Sequence, residues 1–363
     1  MGFEIPGEVI TAFTGVPVDD SGEFQSKIRI EKIGHGLINY SFKISGSFGP
    51  DLFLQQINKN VFQSPEAVQE NYLKIWNFSI SKENSLYIPS PRFFNKINSI
   101  FLDKNNNYWR AFDFVEKCIT ISKVGIPDQA RLTAIAFARF TSFFEGFDPA
   151  LLNEVIPHFH DLEFRFKQFK DALINSKNYS RIEKSSSLIA ALKQRRYYVS
   201  FLDNLIHSGN LLKRVMHHDA KISNILFHAE TGAIICPIDL DTMMPGYIFS
   251  DLGDLIRSMT AACDESEKDL SKVSVRKEFY NAIVSGYLQI MSSKMSDTEK
   301  QNIHFAGLMM FFMQALRFLT DYLNDDVYYQ VKYPEQNFDR AINQLTHLKQ
   351  LENLLEEDYQ FKI

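Results

Sequence analysis

The sequence predicts an α+β protein of two lobes, a small sheet-rich N-terminal lobe over residues 1–111 and a larger, mostly helical C-terminal lobe over residues 112–363. Three observations predict it. Short alternating or apolar runs fill the chain as far as Ala111, and beyond it the apolar repeat lengthens to the period of about 3.6 residues that marks helices. The 363 residues are 45% hydrophobic, enough for a large core and most simply for one bilobal unit or two domains. Finally, one polar loop between two apolar runs, His217 to Asn224, gathers residue types that a core does not need.

The elements follow in order. IRIEK before Ile33, the glycine turn within IGHGLINYSF (Ile33 to Phe42) and KIS after it read as strand, turn and strand. LFLQQI, Leu52 to Ile57, is a further strand, and Pro65 to Ser79 a helix. Turn signals at Pro89-Ser90-Pro91 and Asn105-Asn106-Asn107 separate the remaining short runs. WRAFDFV, Trp109 to Val115, is the last strand and runs into a hinge near residues 109–116. Asp128 is placed to cap a helix that carries Leu132, Ile135, Ala136, Phe140 and Phe143 and stops at Gly146. Further helices are expected across Leu162 to Asn175, Ser187 to His207, Val275 to Ser293, Asp297 to Asn324 and Phe338 to Glu357, with Ser185-Ser186-Ser187 as a helix-start turn.

Composition excludes several classes. A formal charge of -5 leaves no electrostatic footprint for nucleic acid, and the 32 phenylalanines fall at helix and strand spacings that packing explains. Cys118, Cys236 and Cys263 are odd in number, widely spaced and free of any CxxC pattern, which points to a reducing, cytoplasmic setting. MGFEIPGEVI has no basic region followed by an apolar core, and no run approaches the roughly 18 apolar residues of a membrane span. Pro157-His158-Phe159-His160-Asp161 offers an incomplete zinc set and reads as a helix-start turn.

The segment Val215 to Asp254 carries the chemistry. Metal-assisted phosphoryl transfer needs a carboxylate to orient and deprotonate the attacking hydroxyl, oxygen ligands for a hard cation, and a positive charge near the phosphoryl group. Asp219 supplies the first, Asn224 and Asp239 the second, and Lys221 the third. Taken singly, such residues are most often a polar turn. Together, with Asn five residues after Asp, they match the spacing of a protein-kinase catalytic loop. Asp239 follows Cys236, Pro237 and Ile238 at the end of a buried strand, where an acid is costly unless a cation compensates it.

These residues resemble the aminoglycoside phosphotransferase and choline kinase superfamily, relatives of the protein kinases, through the loop His217 to Asn224, the pair Ile238-Asp239, and Asp251 twelve residues later. IDLDTMMPG followed by DLGDLIRS is most similar to the N-acetylhexosamine 1-kinase branch, sugar kinases that phosphorylate an anomeric hydroxyl. The resemblance implies a protein-kinase-like fold, Asp219 as base, Asn224 and Asp239 as Mg²⁺ ligands, and His217 and Asp251 as supports of the loop, with Asp241 a further supporting residue. It also implies that Gly34 and Gly36 belong to a loop that covers the phosphates of ATP. The hinge, with Phe112 and Phe114, would present backbone groups to adenine.

One departure stands out. Gln55 or Gln56 occupies the position where most kinase relatives carry a phosphate-pairing lysine, which leaves Lys221, the glycine loop and Mg²⁺ to hold the phosphates. Lys59 is near enough in sequence to substitute, although a solvated turn lysine also accounts for it. In ALRFLTDYLNDDVYY, Ala315 to Tyr329, Arg317, Asp321 and Tyr328 are polar groups among core-like neighbours. An arginine–aspartate pair four apart on a helix explains two of them; the resemblance instead puts Arg317 and Tyr328 beside the sugar.

The expectation is an ATP- and Mg²⁺-dependent kinase of a small molecule, a sugar before choline, an aminoglycoside or homoserine, acting as a monomer or weak homodimer with neither nucleic acid nor membrane as partner. A catalytically silent nucleotide-binding regulator is the rival that the missing lysine motivates.

Overall fold

The computed structural model describes residues 5–18, 24, 26–34, 38–83 and 86–363. Helix α1 (Gly7–Thr14) is followed by β1 (Ile28–Lys32), β2 (Tyr40–Gly46), β3 (Leu52–Ile57), α2 (Pro65–Ile80), β4 (Pro91–Arg92), β5 (Ile100–Leu102), β6 (Tyr108–Asp113) and β7 (Cys118–Ile119). Helices α3 (Pro127–Phe143), α4 (Leu162–Asn175), α5 (Tyr179–Lys184), α6 (Ser186–Gln194) and α7 (Tyr197–His207) precede the short strands β8 (Arg214–Met216), β9 (Ile225–His228), β10 (Ile234–Pro237) and β11 (Met244–Gly246). Helices α8 (Phe249–Thr260), α9 (Lys277–Met291), α10 (Asp297–Gln301), α11 (Phe305–Leu323) and α12 (Gln336–Tyr359) complete the chain. The result is the α+β arrangement expected, strands early and helices late.

Two compact units divide these elements. The first comprises Met1–Ile119, Ala150–Pro157 and Leu226–Met244. Its antiparallel sheet runs β1-β2-β3-β6-β4, with β5 on β6. Phe42, Ile44, Leu52, Leu54, Trp109 and Ala111 cover one face and pack against Val9 and Ile10 of α1. Alternation along the strands sends Ser41, Gln55 and Arg110 to the other face, where the register sets Ser41 opposite Gln55 and Gln55 opposite Arg110. Tyr72 of α2 meets Phe112 there, ring centroids 4.6 Å apart. In the same unit β9 pairs with β7, Cys118 facing His228.

The second unit comprises Thr120–Pro149, His158–Ile225 and Pro245–Ile363. Helix α11 is its axis: every residue from Phe305 to Leu323 except Arg317 and Thr320 is buried, the pattern of a helix surrounded by others. Helices α4, α8 and α12 pack on it, and α9 joins α3 to α8. At Gly253 a Cβ would lie 2.6 Å from the Ala306 carbonyl oxygen, so glycine permits the close crossing of α8 and α11.

Several expectations are corrected. The helix predicted over Ser187 to His207 is two, broken at Arg195 and Arg196, where Arg195 leaves the helix line to pair with Glu352 (2.6 and 2.7 Å). The helix predicted over Asp297 to Asn324 is also two. Ser296 and Glu299 form a capping box, while Glu299 is fully buried against Arg214 (2.6 Å), which anchors a short first helix apart from α11. The cap of α3 is Ile126; Asp128 sits in the first turn and pairs with Arg131. Asp161, in contrast, caps α4 through Phe164 N (2.9 Å), as the helix-start reading of that segment requires. Among the described residues no helix is long and apolar enough to cross a membrane.

Candidate active site

The loop after β8 is built around one carboxylate. Asp251, on the first turn of α8 and fully buried, accepts the backbone N–H of His217 (2.9 Å) and of His218 (2.7 Å). Two charge-assisted bonds of this kind contribute about 1.5–3 kcal/mol each. They hold His218 at φ 63°, a left-handed conformation rare outside glycine. His217 is buried edge-on against Phe137 (5.1 Å), and its Nδ1 accepts Asp219 N at 3.3 Å. Gly246 closes the loop from outside: a Cβ there would stand 2.5 Å from the His218 ring.

Asp219 emerges from this support half-buried, its carboxylate already engaged. Lys221 Nζ and Asn224 Nδ2 both donate to Asp219 Oδ2 at 2.8 Å, and Asn224 Nδ2 also donates to the Asp219 carbonyl at 2.8 Å. Burial alone would raise the Asp219 pKa, but Lys221, His217 and Asn224 outweigh it and hold the group below the ordinary carboxylate value. The carboxylate is therefore ionised at neutral pH. Both acceptors on Asn224 Nδ2 are oxygens that can only accept, which fixes the amide and leaves Asn224 Oδ1 as its acceptor atom.

In the first unit, Asp239 lies two residues past β10 at φ 61° and is exposed. The expected burial cost at this position does not arise, because the left-handed turn after Pro237 carries the side chain out to solvent. Strain of about 1–3 kcal/mol at a non-glycine residue of this kind clusters at functional sites. Asp241 is buried and forms an ion pair with Arg110, while Asn39 Nδ2 donates to its Oδ2 (2.7 Å). Gln55 accepts from Arg110 Nε (3.0 Å) and Nη2 (2.5 Å) and donates to Ser41 Oγ (3.2 Å). Gly34 has φ 73°, a turn conformation suited to glycine; Gly36 lies outside the described residues. Phe112 is buried, and Phe114 N donates to Asp51 O (2.9 Å), so a backbone contact from Phe114 to a ligand would fall to its carbonyl. Lys59 is exposed and bonds to the Asn106 carbonyl (3.1 Å), the behaviour of a turn lysine.

Arg317 and Tyr328 come together in the second unit, but not through the pairing of Arg317 with Asp321. Asp321 instead accepts Tyr328 N (2.8 Å), Tyr329 N (2.9 Å) and Asn337 Nδ2 (2.9 Å). The Arg317 guanidinium lies 5.5–5.9 Å from the ring centroids of Phe159, Tyr328 and Tyr329. Arg165 joins it, donating to Phe159 O (3.0 Å), its pKa brought down to about 10 by burial and by the Arg317 charge. Among the described residues neither arginine has a carboxylate within ion-pair distance. A relay connects the catalytic loop to the neighbouring His160: His218 Nδ1 meets Ser250 Oγ (2.7 Å), which meets His160 Nδ1 (2.5 Å), and His160 stacks on Phe159 (4.5 Å).

Sequence reasoning missed Arg110, Asn39, Ser250 and Arg165. Only Arg110 gave a signal, an arginine inside the strand YWRAFD between Trp109 and Ala111; its partner became visible only with the β3–β6 register.

Comparison with known proteins follows the same geometry. Residues 29–276 match the model of a family described as APH, phosphotransferase enzyme family. The chain superposes on an aminoglycoside phosphotransferase from Alicyclobacillus acidocaldarius subsp. acidocaldarius DSM 446 with a TM-score of 0.61 at 11% identity, covering 99% of this chain and 98% of that one. It superposes on a choline kinase from Cryptosporidium parvum Iowa II with a TM-score of 0.53 at 16% identity, covering 96% and 95%. A spectinomycin phosphotransferase in complex with ADP and its antibiotic gives a TM-score of 0.55 at 10% identity, covering 95% of each chain. At these identities the superpositions establish the shared fold.

Proposed function

The chain belongs to the phosphotransferase enzyme family, and from that premise we propose that it is an ATP- and Mg²⁺-dependent kinase of a sugar hydroxyl, in the manner of the N-acetylhexosamine 1-kinases. It is a small-molecule phosphotransferase with a hydroxyl acceptor; the sugar, the metal and the residue roles are the proposal. The observation that carries the mechanism is the Asp219 carboxylate, ionised and fixed by Lys221 and Asn224 on one oxygen. Such a group orients an acceptor hydroxyl for in-line attack and takes its proton as the bond to phosphorus forms. Lys221 then faces the charge that develops on the transferred group.

The ligand types assigned by the resemblance suit Mg²⁺: Asn224 would offer an amide oxygen and Asp239 a carboxylate, each a hard oxygen ligand. When bound, the cation would neutralise negative charge on the phosphates. His217 and Asp251 keep the loop in the conformation that presents Asp219. We assign nucleotide binding to residues 1–111 with the hinge at 109–116, catalysis and acceptor binding to residues 112–363, and a cytoplasmic setting on the three free thiols.

The acceptor argument rests on charge. Arg165 and Arg317, uncompensated by carboxylates among the described residues and set among Phe159, Tyr328 and Tyr329, would repel a cationic choline or aminoglycoside. Arginine forks beside aromatic faces suit the hydroxyls, acetamide and apolar face of a neutral sugar. ATP consumption measured with N-acetylglucosamine, N-acetylgalactosamine, choline, homoserine and an aminoglycoside tests this reading. Stimulation by the amino sugars alone supports it; stimulation by a cation reassigns the pocket, and none at all favours the silent regulator. Phosphorus NMR of the product identifies the phosphorylated oxygen.

A further inference from the structure

The first unit holds a buried cation that nothing above employs. Arg110 is the only lysine or arginine among the described residues to be fully buried, at 3% exposure. Its Nε and Nη2 are spent on Gln55 and Nη2 also on Asp241, while Nη1 is buried and has no hydrogen-bond partner among the described residues. A stranded donor on a buried guanidinium is costly, so an Nη1 left open asks for an anionic acceptor. The surroundings give its class. Ser41, Gln55 and Arg110 form one row across β2, β3 and β6, and Asn39, just before β2, bonds to the same Asp241 that pairs with Arg110. The cation is thus tied both to the start of β2 and to the β3 position where the kinase resemblance expects lysine and this chain has Gln55. Two other cations on that face among the described residues are already paired: Lys43 with Asp51 (2.8 Å) and Glu116 (3.2 Å), and Arg29, opposite Ser45, with Glu31 (2.6 Å).

We propose that Arg110 supplies the missing charge: its Nη1 donates to a phosphate oxygen of the bound nucleoside triphosphate, with Gln55 and Asp241 fixing the guanidinium plane. This rests on the kinase reading of the site. A cation moved by one strand keeps the row and the sheet face, because residues directly opposite in an antiparallel pair lie side by side. Gln55, at the β3 position where the resemblance expects lysine, serves as the acceptor that orients the arginine.

Calorimetric titration of ATP and of adenosine into the wild type and three variants tests it. Arg110→Met removes the charge, and Arg110→Gln with Asp241→Asn replaces the ion pair by an amide pair should the single variant fail to fold. Gln55→Lys with Arg110→Met returns the charge from the neighbouring strand. One charge-assisted bond predicts that the first two bind ATP about 10- to 100-fold more weakly with adenosine affinity unchanged, and that the third recovers most of the loss. Equal losses for ATP and adenosine, or full ATP affinity without Arg110, overturn the proposal while leaving the kinase reading intact. A wild type that binds no ATP overturns that reading and this inference with it.

Discussion

Replacing Asp251 by asparagine probes whether the catalytic loop is held by its clamp. An amide keeps one acceptor oxygen but turns an NH₂ group toward the second loop N–H, so one bond is lost and two donors meet in a dry site. The lost charge-assisted bond is worth about 1.5–3 kcal/mol and the stranded donor adds about 1–3 kcal/mol. Opposing them is the left-handed turn at His218, which costs roughly 1–2 kcal/mol. Two bonds outweigh that strain; one bond and a stranded donor do not, and the loop should relax toward an unstrained backbone. We expect a net loss of about 3 kcal/mol, seen by scanning calorimetry as a Tm lower by about 6–12 °C at 2–4 °C per kcal/mol. Steady-state kinetics should show kcat reduced about 100-fold, as for a catalytic group misplaced by about 1 Å, with KM for ATP little changed. A variant with wild-type Tm and kcat would refute the clamp.

Other outcomes follow from the same geometry. Asp219→Asn should retain ATP binding and lose about 10²- to 10⁴-fold in turnover; a near wild-type rate removes it from the mechanism. Asp219 has a depressed folded pKa, so its ionised form stabilises the fold above the unfolded value near 3.9, and that contribution is lost as pH falls through the folded value. Carboxyl carbon NMR should find it ionised at pH 5, and a midpoint near 6 contradicts the Lys221 and Asn224 contacts. Asp254 behaves oppositely: burial raises it to about 7, against the pull of Arg257 at 3.4 Å. A raised folded pKa stabilises below the unfolded value and is lost as pH rises through about 7, so Tm should fall from pH 5 to 8 and Asp254→Asn should flatten the slope. Chelation of divalent cations should abolish turnover, and activity that survives it excludes Asn224 and Asp239 as ligands.

Local signals made the α+β plan, strands early and helices late, and the clustering of Asp219, Lys221 and Asn224 legible. Leu162–Asn175 was readable to the residue because Asp161 caps it and the chain turns away after Asn175. The breaks at Arg195 and at Asn302 carry no glycine or proline; they come from Glu352 and Arg214, far away in sequence, and no local pattern reports such partners. The same holds within the site. Asp219, Lys221 and Asn224 are close in sequence and their association was visible, whereas Arg110 meets Asp241 across 131 positions. The burial argument for Asp239 failed for a related reason: an apolar approach implies a buried end only if the backbone continues straight, and here it turns left-handed.

The convergence of Lys221 and Asn224 on a single oxygen of Asp219 bears on regiochemistry. The two halves of this carboxylate are no longer equivalent, so under the proposed mechanism the proton of the acceptor has one address. For a polyol whose hydroxyls differ little in acidity, the product isomer is then decided by which oxygen the pocket walls carry to that address. On the proposed reading, changing the isomer therefore calls for reshaping the walls around Arg317 and Tyr328, with the loop left as it is.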